Sequence, residues 1–372
     1  MGPAWRCSIR RSPGSSLCTG TGRPDPHPGG DIMHKKISQQ LVRASAALLA
    51  LSITAAGAFA PAGQAQAREM KIATIAASNS PWDHAMRAFA EEAARQSQND
   101  LQVHVYTDGQ LGDISKILSS MQLGTLDMGY FGLGSVVFLR GAQPLNILYA
   151  PYLFKSGEQA ERIINSDEFA QIFDDVAKKS GVRVFAAFGI RSPRALQTVS
   201  RPINKPEDVK GLKLRIPAIP ILKSTFEKLG AQVVPLGMTE IYTALGRGMI
   251  DGQDNGFDLS IPLRFHEEAK YWAATDHAYE LTGWFISERV WQGLDARQRQ
   301  ALTEAAKAGG KVATRLDQEL DDNAVKLLKE AGVTYTQPDK AAFKAALATV
   351  YQQYEGKDWP AGMVERIQKM QE

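Results

Sequence analysis

From about residue 70 onward the chain alternates short apolar runs with stretches whose apolar residues recur at helical spacing, and this restricts it to an α/β fold. Residues 70–76 read as a buried strand. Pro81–Gln96 follows with Met86, Phe89, Ala90, Ala93 and Ala94 at helical intervals, and Ser80 stands where an N-cap belongs. Residues 101–106 alternate apolar and polar as a half-buried strand does. Residues 113–123 read as a helix closed by Gly124, and 126–131 as a strand again. Two further apolar strands are expected at 182–188 and 213–217, with helices at 166–180 and 219–229. Helical spacing is then unbroken over 295–332, and 340–354 reads as one more helix. Such alternation predicts mostly parallel sheets. With no internal repeat and no low-complexity linker, any division into domains must be made by short hinge strands.

Residues 1–67 do not share this pattern. Residues 1–32 are rich in Gly, Pro, Ser and Arg, without apolar periodicity, and are expected to be an upstream extension. Met33 opens a better-formed beginning. His34, Lys35 and Lys36 make a positive start, 44–60 an apolar stretch, and Ala65-Gln66-Ala67 a small-x-small cleavage pattern. A secretory signal over 33–67, cut near Ala67, is therefore expected. A membrane anchor needs about 20 strongly apolar residues, and this run is short and closed by Pro61 and Gly63. The leader holds seven of the 43 Lys and Arg and two of the 40 Asp and Glu. That leaves 36 basic against 38 acidic residues, so nucleic-acid binding loses its global support. Both cysteines, Cys7 and Cys18, also lie in the leader, so the remainder can make no disulfide, thiolate metal site or cysteine nucleophile. A soluble, secreted product is expected, with monomer as the default state.

Catalytic signatures are missing. Gly129-Tyr-Phe-Gly132-Leu-Gly134 lacks the spacing of a dinucleotide loop, and no Gly-x-Ser-x-Gly elbow occurs. His84, His104, His266 and His277 show no i, i+4 pairing and read as surface or capping residues, so no metal is expected. Asp251-Gly-Gln-Asp-Asn-Gly256 resembles the start of a calcium loop but has Pro262 where a bidentate Glu is required. These absences favour binding over chemistry, with no cofactor.

Between residues 191 and 255 the sequence carries a resemblance. Arg194-Ala-Leu-Gln-Thr-Val-Ser-Arg-Pro-Ile-Asn204 is followed by Glu207-Asp208-Val-Lys-Gly-Leu-Lys-Leu-Arg215-Ile-Pro217. Pro235-Leu-Gly-Met-Thr-Glu240-Ile-Tyr242-Thr-Ala-Leu245 and Gly248-Met-Ile-Asp251-Gly-Gln253-Asp-Asn255 continue it. Gln110-Leu-Gly112 and Leu123-Gly-Thr-Leu-Asp127-Met-Gly129 precede it in order. This pattern resembles the DctP-type solute-binding proteins of tripartite ATP-independent periplasmic (TRAP) transporters, over nearly all of 70–354.

The resemblance implies a two-lobed periplasmic binding protein with hinge strands, an interlobe cleft and a long connecting helix. Lobe I would take 68–190 plus 281–320, and lobe II 191–280 plus 321–372. The function implied is capture of a small organic carboxylate (dicarboxylate, sugar acid, or keto or hydroxy acid) for delivery to a small and a large integral membrane subunit. The alternatives are a binding subunit of an ATP-driven importer, a sensor, or a secreted α/β enzyme. Arg215 is the implied substrate ligand, since a guanidinium matches both oxygens of a carboxylate; read alone, it could equally be a structural or surface Arg. Counting back from Arg201-Pro-Ile-Asn204 selects Arg194 as a second contact. The local Gly-x-Arg pattern selects Arg191 instead, with the unselected one expected on the solvated surface. Asn255 matches the family's amide, or else stabilises a turn beside Gly256. Met238 stands where several members have an aromatic wall, and a Met wall is adaptable. Trp82, Tyr130, Phe131 and Trp284 are candidate apolar walls, with core packing as the alternative.

Overall fold

The computed structural model describes residues 67–372. The expected extension 1–32 and all but the last residue of the expected signal 33–67 lie outside them. Eleven strands form two mixed sheets. The first has the order β2-β1-β3-β10-β4, with β1 Arg68–Ala73, β2 Leu101–Tyr106, β3 Met128–Gly132, β4 Val182–Ala186 and β10 Thr282–Ser287. The second has the order β11-β9-β5-β8-β6-β7, with β5 Arg194–Thr198, β6 Lys213–Ile216, β7 Gln232–Pro235, β8 Gly252–Asn255, β9 Tyr271–Ala278 and β11 Thr334–Thr336.

Five of the nine strand pairings are parallel, in line with the expectation of mostly parallel sheets. Four of the nine strand pairings are antiparallel, and each of them involves β5 or β10. These are the two strands that the chain enters directly from the other sheet, β5 after residues 187–193 and β10 after residues 279–281. The two passages run side by side. Ile190 bridges Leu281, Arg191 N–H donates to Glu280 O at 3.1 Å, and Thr282 N–H donates to Gly189 O at 2.8 Å.

Helix α1 (Pro81–Gln96) starts as the sequence predicts. Pro81 occupies the first turn, where its missing N–H costs nothing, and Ser80 Oγ accepts from Asp83 N–H. Its buried face carries Trp82, Met86 and Phe89. Helix α2 (Ile114–Leu123) is capped by Asp113, whose Oδ1 accepts from Lys116 N–H at 2.9 Å. It is closed by Gly124 at φ 74°, a left-handed position that suits glycine. Helices α3 (Asp167–Ser180) and α4 (Pro220–Lys228) fall within the expected spans. The run expected over 340–354 is helical only for Lys340–Leu347, then passes into a 3-10 turn at Val350–Gln353.

Helix α5 (Ala296–Glu330) spans 35 residues, about 50 Å of rise. Asp295 and Gln298 cap it reciprocally, at 2.8 and 3.1 Å. It packs closely on α1, with Gly309 against Ala85, and it also contacts Phe257–Ser260 and β11. The final helix, Met363–Lys369, returns to α3, where Arg366 pairs with Glu168 at 3.0 Å. No helix among the described residues is long and apolar enough to cross a membrane.

Candidate functional site

A cavity of about 270 Å³ lies at the C-terminal ends of strands from both sheets. Gly132 ends β3, Arg215 and Pro217 lie at the end of β6, Pro235 ends β7 and Asn255 ends β8. Glu280 enters from the second passage. Open α/β sheets bind ligands at such ends because side chains there leave the ladder facing a crevice instead of a neighbouring strand.

Arg215 is 2 % exposed, although it is a charged side chain at the end of an apolar strand. Its Nε and Nη2 donate to one acceptor, Leu236 O, at 2.9 and 2.6 Å, and Nη1 has no hydrogen-bond partner within the protein. No carboxylate among the described residues comes within salt-bridge distance of it. Burial therefore pulls this guanidinium down to about 10, with Asp254 opposing the change from a distance. A buried cation without a counter-ion is costly, and it faces a cavity.

Arg191 and Arg194 form a contrast. The expectation that one of them would be a solvated surface residue is corrected, because both are buried and both line the cavity. Arg191 donates through Nε to Asp258 Oδ2 at 2.7 Å and through Nη1 to Glu280 Oε2. Arg194 donates through Nε to Asp254 Oδ2 at 2.8 Å and through Nη1 to Glu280 Oε2 at 3.0 Å. Burial alone would lower both guanidiniums. The carboxylates outweigh it, Asp258 and Glu280 for Arg191, Asp254 and Glu280 for Arg194, and both are held above the usual range. Two arginines three residues apart can share one site because Glu280 sits between them.

The remaining candidates divide. Asn255 is fully buried and lines the cavity, with Nδ2 donating to Gln253 Oε1 at 2.9 Å and lying 3.8 Å from Met238 Sδ. Met238 and Trp82 also line it, with Trp82 under the Arg191 guanidinium at 4.8 Å. Tyr130, Phe131 and Trp284 are not on the cavity wall. Trp284 packs between Phe89 and Tyr130 at 4.5 and 4.1 Å, and Phe131 stacks on Phe285 at 4.4 Å, so all three serve the core. Glu240 accepts from Gly237 N–H at 2.9 Å and also lines the cavity. Tyr242 is exposed and donates to Glu267.

Glu280 had no motif to mark it. Its Oε1 accepts from Tyr149 Oη–H at 2.7 Å and Gly134 N–H at 3.3 Å, and its Oε2 from both arginines. The one local trace lies in the glycine-rich stretch already set aside as a phosphate loop. A Cβ on Gly132 would stand 2.5 Å from Glu280 Oε1 and 2.7 Å from Arg191 Nη1, so a glycine is needed there to admit the pair. His277 is likewise corrected from surface to core. It is 3 % exposed and held between Thr275 Oγ1 at 2.9 Å and Asp254 Oδ2 at 3.3 Å. No group of acidic, His or Cys side chains among the described residues is arranged to hold a metal.

The sequence model of the bacterial extracellular solute-binding proteins, family 7, matches residues 72–357. The chain belongs to this family. A solute-binding protein of Roseobacter denitrificans is 31 % identical over 297 residues, covering 79 % of this chain and 90 % of the relative. Solved TRAP periplasmic solute-binding proteins share the fold. A TRAP periplasmic solute-binding protein from Roseobacter denitrificans with bound L-galactonate superposes with a TM-score of 0.74 at 28 % identity, covering 81 % of this chain and 98 % of that one. Another from Ochrobacterium anthropi, with bound L-fuconate, gives 0.76 at 26 % identity, covering 82 % and 99 %. The expected α/β, two-lobed TRAP binding-protein architecture therefore stands for this family 7 member.

Proposed function

We propose that this protein is the periplasmic subunit that captures a small organic carboxylate and hands it to the small and large membrane subunits of a TRAP transporter. One observation carries the reading: Arg215 is a buried guanidinium facing a cavity with a free Nη1 and no carboxylate partner. A ligand carboxylate supplies the missing charge and accepts two parallel N–H bonds. Asn255, Met238 and Trp82 complete the wall, and Arg194 contributes from its balanced position. The protein binds rather than catalyses: Asp254, Asp258 and Glu280 are committed to guanidiniums, and Asp113 and Glu240 on the wall accept from backbone N–H groups.

Lobe I comprises 68–190 plus 281–320, and lobe II 191–280 plus 321–372, with the final helix reaching back onto α3 of lobe I. The paired passages at 187–193 and 279–281 support that division and serve as the hinge. Closure removes water from the Arg215–carboxylate pair and strengthens it. The protein acts as a periplasmic monomer released from its signal near Ala67.

A thermal-shift screen of the purified protein against organic acids and neutral analogues tests this, with Arg215→Met as the control. A ligand at a hundredfold excess over its Kd raises stability by roughly 2.7 kcal/mol. Carboxylates should raise the Tm of the parent and not of the variant. Shifts produced only by neutral or cationic compounds would overturn the assignment.

A further inference from the structure

The charges around the cavity can be paired off. Six charged side chains line it: Arg191, Arg194 and Arg215 against Asp113, Glu240 and Glu280. Asp254 and Asp258 stand directly behind, each on one of the first two arginines. Within the buried cluster, two guanidiniums meet three carboxylates, and Glu280 Oε2 bridges both. Only Arg215 is left to answer a ligand charge. Asp113 and Glu240 add negative potential at the wall, and no lysine lines it.

The open hydrogen-bond valences run the same way. Gln253 Nε2 donates to Gln197 Oε1 and, at 3.3 Å, to Ser260 Oγ. Gln253 Oε1 therefore faces Asn255 and accepts its Nδ2 at 2.9 Å. This chain of amides leaves Asn255 Oδ1 without a partner. A lone acceptor on a cavity residue calls for a donor on the ligand, and a carboxylate has none at neutral pH. On the same cavity wall, Trp82 has Nε1 as a buried donor without a partner, which a hydroxyl oxygen satisfies.

From these two observations we infer that the site selects hydroxylated monocarboxylates, and that Glu280 is the specificity-determining residue that keeps dicarboxylates out. The inference rests on Arg215 holding the ligand's carboxylate. A second carboxylate would enter a low-dielectric cavity whose other cations are already neutralised, facing Glu280 and the Asn255 acceptor. Hydroxyl groups instead give Asn255 Oδ1 and Trp82 Nε1 the hydrogen bonds they lack.

The test compares matched pairs that differ only at the terminal carbon, such as galactonate with galactarate, gluconate with glucarate and glycerate with tartronate, by calorimetry on the purified protein. The monocarboxylate that binds best should exceed its dicarboxylate partner by at least a hundredfold. Glu280→Gln keeps an acceptor for the arginines and removes one negative charge. It should raise the dicarboxylate's affinity at least tenfold more than the monocarboxylate's. Equal binding of the two members in the parent protein would overturn the inference even if Glu280→Gln failed to fold. So would an unchanged ratio in a variant whose Tm shows it folded. If carboxylates of both kinds bound but ignored Arg215→Met, the proposed function would fail separately.

Discussion

Arg215 and Arg194 lie 21 positions apart in the chain, line the same cavity and are equally buried, yet removing them should have opposite effects on the unliganded protein. Arg194 answers Asp254 and Glu280, so Arg194→Met leaves buried carboxylates short of a partner and should cost about 3–5 kcal/mol. Arg215 answers none, so Arg215→Met should leave the Tm of the free protein unchanged or higher while abolishing carboxylate binding. Denaturant melts of both variants check the pair of outcomes. Asp321 makes a different prediction. It lies on α5 beside Ser192, near Asp258, Asp276 and Asp322, and burial pushes its carboxyl up to about 7. The folded protein thus holds a proton that the unfolded chain releases at about pH 4, and stability falls as pH rises between those values. Asp321→Asn should be more stable than the parent by about 1–2 kcal/mol at pH 8. The advantage should shrink steadily towards pH 4, and a gain independent of pH would contradict the account. Of these residues only the arginines could be read from the sequence. A carboxylate's partner lies far along the chain, and Glu280 is 86 positions from Arg194.

Helices and strands were legible where the cause is local. Ser80, Asp113 and Asp295 cap their helices through atoms three residues away, and Gly124 ends α2 through its own φ. Among the strands that were missed, β5, β7, β8 and β11 are short, whereas β9 and β10 run to eight and six residues, and a segment such as Gly-Gln-Asp-Asn becomes β8 only because β5 and β6 flank it. Helix α5 shows how packing can overrule local preference. Gly309 and Gly310 stand mid-helix, where alanine would ordinarily gain about 1 kcal/mol each. A Cβ on Gly309 would lie 2.7 Å from Ala85 O and 2.8 Å from the Trp284 ring, and one on Gly310 2.4 Å from Phe188 Cβ. Gly309→Ala and Gly310→Ala should therefore each destabilise, by about 1–3 kcal/mol. A higher Tm would mean, for Gly309→Ala, that α1 and α5 approach less closely than described and, for Gly310→Ala, that Phe188 stands farther from α5.

At the scale of the whole molecule, two short passages link the sheets while α5 runs along both, a geometry suited to hinge closure around a ligand. A saturating monocarboxylate should reduce the radius of gyration measured by X-ray scattering, and Arg215→Met should show no change. An unaltered scattering curve on binding would separate ligand capture from closure. The sequence alone determined the α/β class, the limits of helices α1 to α5, the Lys-x-Arg-x-Pro strand that carries Arg215 and the likeness to its family. Each of these depends on spacing or on neighbours a few residues away. Only the tertiary structure decided that β5 and β10 run antiparallel to their neighbours, that Arg191 and Arg194 are both interior, and that Glu280 joins them. Those outcomes turn on which distant segments meet, and charge pairing in a desolvated cavity is a property of that meeting, which no single stretch of chain contains.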